Sequence, residues 1–200
     1  MKPNILVGAG AAVLVGCLGM AVVGAQQNMP SRDRDDRGGQ NGDESRVRTG
    51  FEYARAQGIT LNLKGRDRGM VGLGSYLVNA VGACNDCHTA PPFTKDPAEF
   101  LGAPKQINLE CYLAGGTPFG PFVSRDITPW EDGKPAGLTF GRFLHVMRTG
   151  EDPDNPGQVL QVMPWPVYQS MTDHDLRAIY EYLSSIPAIT ANTCGVPSEG

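Results

Sequence analysis

The five residues Cys84-Asn85-Asp86-Cys87-His88 constrain this chain more than any other feature. Two thiols with two residues between them, and an imidazole beside the second, cannot be distant in any fold. On a helix they span about one and a half turns. Three chemistries use sulfurs this close. A zinc half-site needs a second Cys/His pair at similar spacing, and His145 and His174 each stand alone. A thioredoxin-like dithiol follows a strand in an alternating α/β pattern, which is absent here. The third chemistry is attachment of a c-type haem. Two intervening residues let both sulfurs reach the vinyl groups of one porphyrin, and the next residue turns its imidazole to the iron. The sequence therefore predicts one covalently bound haem c, held by Cys84 and Cys87, with His88 as an iron ligand.

The residues before the motif read as a helix. Leu73, Tyr76, Leu77, Ala80 and Val81 fall on one face, so the helix packs the core while its end delivers the thiols. Candidates for a sixth iron ligand are Met147, Met163, Met171, His145 and His174. Met147 continues the stripe Phe140, Phe143, Leu144 and reads as core, and His145 lies off that stripe. Met171 and His174 flank a helix start in which Thr172 and Asp175 form a capping box. Met163 sits in an aperiodic loop, followed by Pro164-Trp165-Pro166. The prolines hold the chain extended, and a stiff loop can present a thioether at a fixed position.

Residues 5–25 carry no charge and end in Val23-Gly24-Ala25. After a single early lysine this predicts an export signal cleaved after Ala25. The run is also long enough for a membrane anchor, which needs about 20 residues. Leu14-Val15-Gly16-Cys17 resembles a lipoprotein box, in which Cys17 would be lipidated. Each reading exports the remainder, to the periplasm or the outer face of the cytoplasmic membrane. Residues 26–50 read as a charged, disordered linker. From 31 to 50 there are five arginines, five acids and one apolar residue, Val47. Residues 51–200 are then the folded domain. A net charge of −4 argues against a nucleic-acid partner.

Four stretches carry a family resemblance: residues 73–88, GGTPFG at 115–120, SRDITP at 124–129 and MPWPVYQSMTDHDLRAIYEYLSSIP at 163–187. Over about residues 51–195 the chain resembles class I c-type cytochromes. It is most similar to exported ones related to the haem subunits of bacterial alcohol and gluconate dehydrogenases. The resemblance implies a mainly α fold, with a few helices around one haem and long Gly/Pro-rich loops. It implies that Cys84 and Cys87 hold the haem and that His88 and Met163 are the axial ligands. It also implies that the last helix crosses the one before the haem motif, with Gly72, Gly74 and Ala80 available for close approach. Those subunits usually carry three haem motifs. This chain has one, which points to a single-haem carrier.

With Cys17 in the leader and Cys84 and Cys87 on haem, Cys111 and Cys194 remain of five cysteines. An oxidising compartment favours a bridge between them, worth about 4 kcal/mol by loop closure, with free buried thiols the alternative. Residues 89–137 read as long loops over the cofactor, where Arg125 and Trp130 are either donors to a haem propionate or ordinary surface residues. Three functions compete: an electron carrier, a peroxidase-like haem enzyme with an open iron, and a gas sensor in which Met163 is displaced. A candidate sixth ligand and a single haem motif favour the carrier. It would serve redox partner proteins such as a membrane-bound or periplasmic dehydrogenase or a terminal oxidase.

Overall fold

A computed structural model describes residues 33–94, 102, 105–189 and 194, with side chains described from residue 42 onward. The expected export signal, its Cys17 and residues 26–32 of the linker lie outside the described residues. The fold is mostly helical, as expected. Helix α1 spans Asp33–Gln57, α2 Arg68–Tyr76, α3 Cys84–His88, α4 Phe140–Thr149, α5 Trp165–Tyr168 and α6 Asp173–Leu183. A small antiparallel hairpin pairs β1 (Pro118–Phe119) with β2 (Phe122–Val123), Phe119 opposite Phe122. Among the described residues no helix is long and apolar enough to cross a membrane.

The core forms where α2 packs between α1 and α6. Three glycines set how closely these helices approach, and a Cβ on Gly50 of α1 would run into the Gly72 carbonyl oxygen of α2. A Cβ on Gly72 would stand 2.7 Å from both Val47 and Phe51 of α1. A Cβ on Gly74 would run into the Ala178 carbonyl of α6 and stand 2.6 Å from the Tyr182 Cβ. Of the three small residues expected at the α2–α6 crossing, Gly74 is there. Gly72 serves the crossing with α1 instead, and Ala80 is exposed.

The reason Ala80 leaves the core is a change of helical pitch. Over Leu77–Val81 the helix widens into a π-turn, closed by the Gly82 N–H donating to the Leu77 carbonyl at 2.7 Å. An i→i+5 turn takes more residues per revolution, so the inward face shifts along the sequence. Val78 and Asn79 become buried, while Ala80 and Val81, expected on the apolar stripe, face solvent.

The charged segment expected to be a tether is helical over its described part, 33–50. Its lone valine explains the extension. Val47 begins a row that continues at helical spacing through Phe51 to Ala54, and all three meet the core. Helix α4 buries Phe143, Val146 and Met147, so Met147 is core. Thr139 caps its start and Gly150, at φ 70°, ends it. Helix α6 is capped by Thr172, whose hydroxyl accepts the Asp175 N–H at 3.0 Å. Packed against both α2 and α4, it buries Ala178 and Tyr182 besides Leu176, Ile179 and Leu183.

A polar group lies inside this apolar core. The Tyr112 hydroxyl donates to Asn79 Oδ1 at 2.6 Å. That commits its only proton, so the Tyr182 hydroxyl, 2.9 Å away, donates to Tyr112. Asn79 Nδ2 donates to the Ser75 carbonyl at 2.9 Å, and the Ser75 hydroxyl donates to the Gly50 carbonyl at 2.8 Å. The π-turn thus aims Asn79 at the tyrosines, and the bonds reach from α1 to the loop after Cys111. Burial, more than any other influence, pushes both phenols up, Tyr182 to about 12. Cys111 and Cys194 are joined, 83 residues apart in sequence, beside Ala114 and Ile189.

Candidate haem site

The motif Cys84–His88 forms its own short helix, α3, one break beyond the π-turn. The break is made by Gly82 and by Ala83, which takes the left-handed conformation at φ 47°. It turns the chain so that the thiols leave the core helix rather than continue it. Asn85, between the two cysteines, is buried and locks the segment. Its Nδ2 donates to the Pro92 carbonyl at 3.1 Å, and its Oδ1 accepts the Thr89 hydroxyl at 2.9 Å. The Thr89 hydroxyl oxygen in turn accepts the Leu113 N–H at 2.9 Å.

His88 is oriented by one bond. Its Nδ1 lies 2.7 Å from the Arg125 carbonyl oxygen. A carbonyl can only accept, so the proton is on Nδ1 and the lone pair is on Nε2. Burial pushes the imidazole below its ordinary value, the bond to Arg125 acts against this, and the Arg125 charge adds to it. The ring is therefore neutral at pH 7. The 124–126 segment can come this close because Gly115 carries no Cβ. At φ 77° it packs where a Cβ would stand 2.5 Å from the Ser124 carbonyl oxygen, and its N–H donates to the His88 carbonyl at 2.7 Å.

The two thiols are free and partly buried. Burial pushes Cys84 up to about 12, and Cys87 and Asp86 push it in the same direction. Burial and Asp86 also raise Cys87. A dithiol redox pair depends on a lowered thiol, so the electrostatics run against that chemistry. Among the described residues no group of three or more His, Cys, Asp or Glu side chains is arranged to hold a metal ion.

Met163 lies in the loop between α4 and α5, half-buried against the core, and its carbonyl accepts the Trp165 N–H at 2.8 Å. The structure ties this loop to the motif through neighbours. Tyr168, on α5, donates its hydroxyl to the Gly82 carbonyl at 3.2 Å. Burial, then Cys84 and Cys87, push that phenol up to about 12. Arg125 ion-pairs with Asp154 at 2.5 Å and Asp152 at 3.9 Å, in the turn leading to Met163. Trp130 stands apart from these bonds. It is half exposed, its ring lies on Gly137, and its backbone N–H donates to the Lys134 carbonyl. His145 is exposed and bonds Glu151, while His174 is exposed beside Asp175.

Sequence reasoning missed Asn85, Thr89, Tyr168 and Arg148. The last donates to the Gln169 and Met171 carbonyls and pairs with Asp173 at 2.6 Å, binding α4 to the start of α6. None carries a signal in its spacing. Tyr168 and Arg148 act through backbone carbonyls distant in sequence, and Asn85 and Thr89 through a bond to each other that reaches on to the Leu113 N–H.

With this geometry in place, comparison with known proteins points in one direction. The chain is similar to cytochrome c subunits of dehydrogenases. It is 28% identical over 121 residues, 60% of this chain, to the cytochrome c subunit of the quinone alcohol dehydrogenase of Gluconobacter oxydans (strain 621H). It is 32% identical over 76 residues, 36% of this chain, to the fructose dehydrogenase cytochrome subunit of Gluconobacter japonicus. It is 29% identical over 113 residues, 56% of this chain, to the gluconate 2-dehydrogenase cytochrome c subunit of Pantoea cypripedii. The matches span 24%, 15% and 22% of those relatives, so the chain spans less than a quarter of their length. No protein-family model matches, and no solved structure matches.

Proposed function

We propose that this chain is an exported single-haem c-type cytochrome of the class I fold that carries single electrons between redox partners. Cys84 and Cys87 hold the haem through thioethers, and His88 Nε2 and Met163 Sδ are the iron ligands. Bound there, the haem supplies an Fe(II)/Fe(III) couple whose potential a methionine ligand raises. The observation that carries the reading is the 2.7 Å bond from His88 Nδ1 to the Arg125 carbonyl, beside two free thiols. It keeps the imidazole in the tautomer and orientation an iron ligand needs.

Other features fit the same group. Arg125 Nε is buried with no partner, as a donor reserved for a carboxylate would be, and supports its role toward a propionate. Trp130, half exposed in the adjacent turn, is a second candidate there. Val81, Val162 and Val167 are exposed on the segments that flank the thiols and Met163, apolar surface that a porphyrin can cover. The likeness to dehydrogenase cytochrome subunits supports a membrane-bound or periplasmic dehydrogenase as electron donor. The single C-x-x-C-H run supports one haem.

The test uses the protein matured in a host that attaches haem c. Acid–acetone extraction leaves the haem on the chain, and replacing Cys84 and Cys87 with Ser releases it. The oxidised protein shows the weak far-red charge-transfer band of a thioether ligand. Met163→Ala removes that band, lowers the potential and opens the iron to carbon monoxide. Met171→Ala leaves the band in place. Complete extraction of haem from the unmodified protein overturns the attachment. A band that survives Met163→Ala overturns the axial assignment, and rapid carbon monoxide binding by the unmodified protein favours a sensor or peroxidase.

A further inference from the structure

Arg125 touches both sides of the proposed site with different parts of one residue. Its backbone carbonyl accepts the His88 Nδ1 proton at 2.7 Å. Its guanidinium donates to Asp154 Oδ1 at 2.8 Å, reaches Asp154 Oδ2 at 2.5 Å and faces Asp152 at 3.9 Å. Those two aspartates belong to one compact turn. Asp152 accepts the Asp154 N–H and an Asn155 Nδ2 proton, both at 2.9 Å, and its own N–H donates to the Gln158 carbonyl. The Leu160 N–H closes back on the Gly150 carbonyl at 2.8 Å, and Met163 follows three residues later. A pull on Asp152 and Asp154 is therefore a pull on the whole 150–160 turn. Asp152 shows the balance: burial pushes its carboxyl up, but the bonds from Asn155 and Asp154 and the Arg125 charge together hold it below its ordinary value.

We propose that Arg125 is a positioning residue, a strut that couples the orientation of the His88 imidazole to closure of the loop that presents Met163. The proposal rests on the axial assignment above, and it adds that the two ligand sides are not independent. Releasing the guanidinium loosens the Met163 loop. It also frees the 124–126 backbone that holds the imidazole, although the carbonyl itself is never mutated. Arg125 and Asp152 are part-buried while Asp154 is exposed, and one guanidinium donates to Asp154 and faces Asp152, so a single cation holds two carboxylates of the turn.

The experiment compares the haem-loaded wild type with Arg125→Gln, Arg125→Lys, Asp154→Asn and the Arg125→Gln/Asp154→Asn double variant. Lys134→Gln breaks an exposed pair elsewhere and serves as control. Hydrogen exchange of amides 150–163 is measured at fixed pH, together with the rate of carbon monoxide binding to the reduced protein. Arg125→Gln speeds exchange of these amides about tenfold and raises the carbon monoxide rate in parallel. Asp154→Asn, at an exposed position that leaves folding intact, gives a smaller change of the same kind. The double variant adds little to Arg125→Gln, and Lys recovers part of the loss. Unchanged exchange in 150–163 in both single variants overturns the strut, as does a double variant whose effects simply add. Exchange that speeds while the carbon monoxide rate stays at the wild-type value also overturns it, because the loop and the ligand are then uncoupled. A wild type without covalent haem, or one that already binds carbon monoxide rapidly, fails the functional reading instead, so the two failures are distinguishable.

Discussion

Replacing Tyr112 with Phe and, separately, Tyr182 with Phe removes the same atom from two tyrosines that touch, yet the costs differ. Tyr112 donates to Asn79 Oδ1 at 2.6 Å, and Asn79 is buried in the core. Without that hydroxyl the Asn79 carbonyl oxygen faces apolar neighbours, while its Nδ2 keeps the Ser75 carbonyl at 2.9 Å. The loss is two hydrogen bonds, to Asn79 and from Tyr182, about 1 kcal/mol each, plus the stranding of a buried acceptor, about 1–3 kcal/mol. Tyr112→Phe therefore destabilises by about 3–5 kcal/mol. Removing the Tyr182 hydroxyl deletes its 2.9 Å bond to Tyr112 and its 3.2 Å contact with Asn79 Nδ2. Tyr112 still donates to Asn79, and Asn79 still donates to Ser75, so no buried group is stranded. That cost is about 1 kcal/mol. The double variant costs less than the sum, because the bond shared by the two rings is lost once. Guanidinium unfolding followed by far-ultraviolet circular dichroism measures all three, with the slope of free energy against denaturant unchanged. A Tyr182→Phe variant as destabilised as Tyr112→Phe, or more so, refutes the proton assignment on which the difference rests.

Two further outcomes follow from packing and charge. Gly74→Ala drives a methyl into the Ala178 carbonyl at the α2–α6 crossing and costs about 1–3 kcal/mol despite the better helix propensity of Ala. Gly141→Ala, where a Cβ meets nothing within 4 Å, stabilises α4 by up to about 1 kcal/mol; thermal melts of both variants check the pair. Glu151 is held below its ordinary 4.5 first by His145, then by the Gly157 N–H and Arg142, with burial opposing. A lowered carboxylate stabilises the native state fully above its unfolded pKa and loses that contribution as pH falls through the lower native one. The 150–160 turn therefore keeps its bonds through neutral pH and releases them only below the ordinary value. The Gly157 amide resonance, followed by nuclear magnetic resonance in the reduced protein, shifts in that acid window, and Glu151→Gln abolishes the shift. A Gly157 shift already under way near pH 6 would contradict the assignment.

Much of this protein is written in short-range pattern. The C-x-x-C-H run, the Thr172 cap and the apolar stripe of α4 depend on neighbours within a few residues, so they are legible along the chain. The pairing of Cys111 with Cys194 follows from counting, since those cysteines remain once the others are placed. Where reasoning from periodicity went astray, the cause was a change in the period itself. The Leu77–Val81 π-turn rotated Asn79 into the core and Ala80 and Val81 out of it, and constant 3.6-residue spacing does not foresee that. Val47 was too sparse a signal to extend α1 until Gly72 offered it a surface to pack on.

The sequence by itself singled out the atoms proposed to do the chemistry: two thiols, an imidazole and a proline-flanked thioether. Tertiary structure alone decided how they are aimed. Which His88 nitrogen carries the proton depends on a carbonyl 37 residues away, brought near because Gly115 lets one loop lie on another. Which residue braces the Met163 loop depends on where the Arg125 guanidinium ends, among carboxylates nearly 30 residues further along. Orientation and coupling are properties of contacts made at close range in space between residues distant in the chain. No local pattern encodes them, because only folding brings those partners within hydrogen-bonding distance.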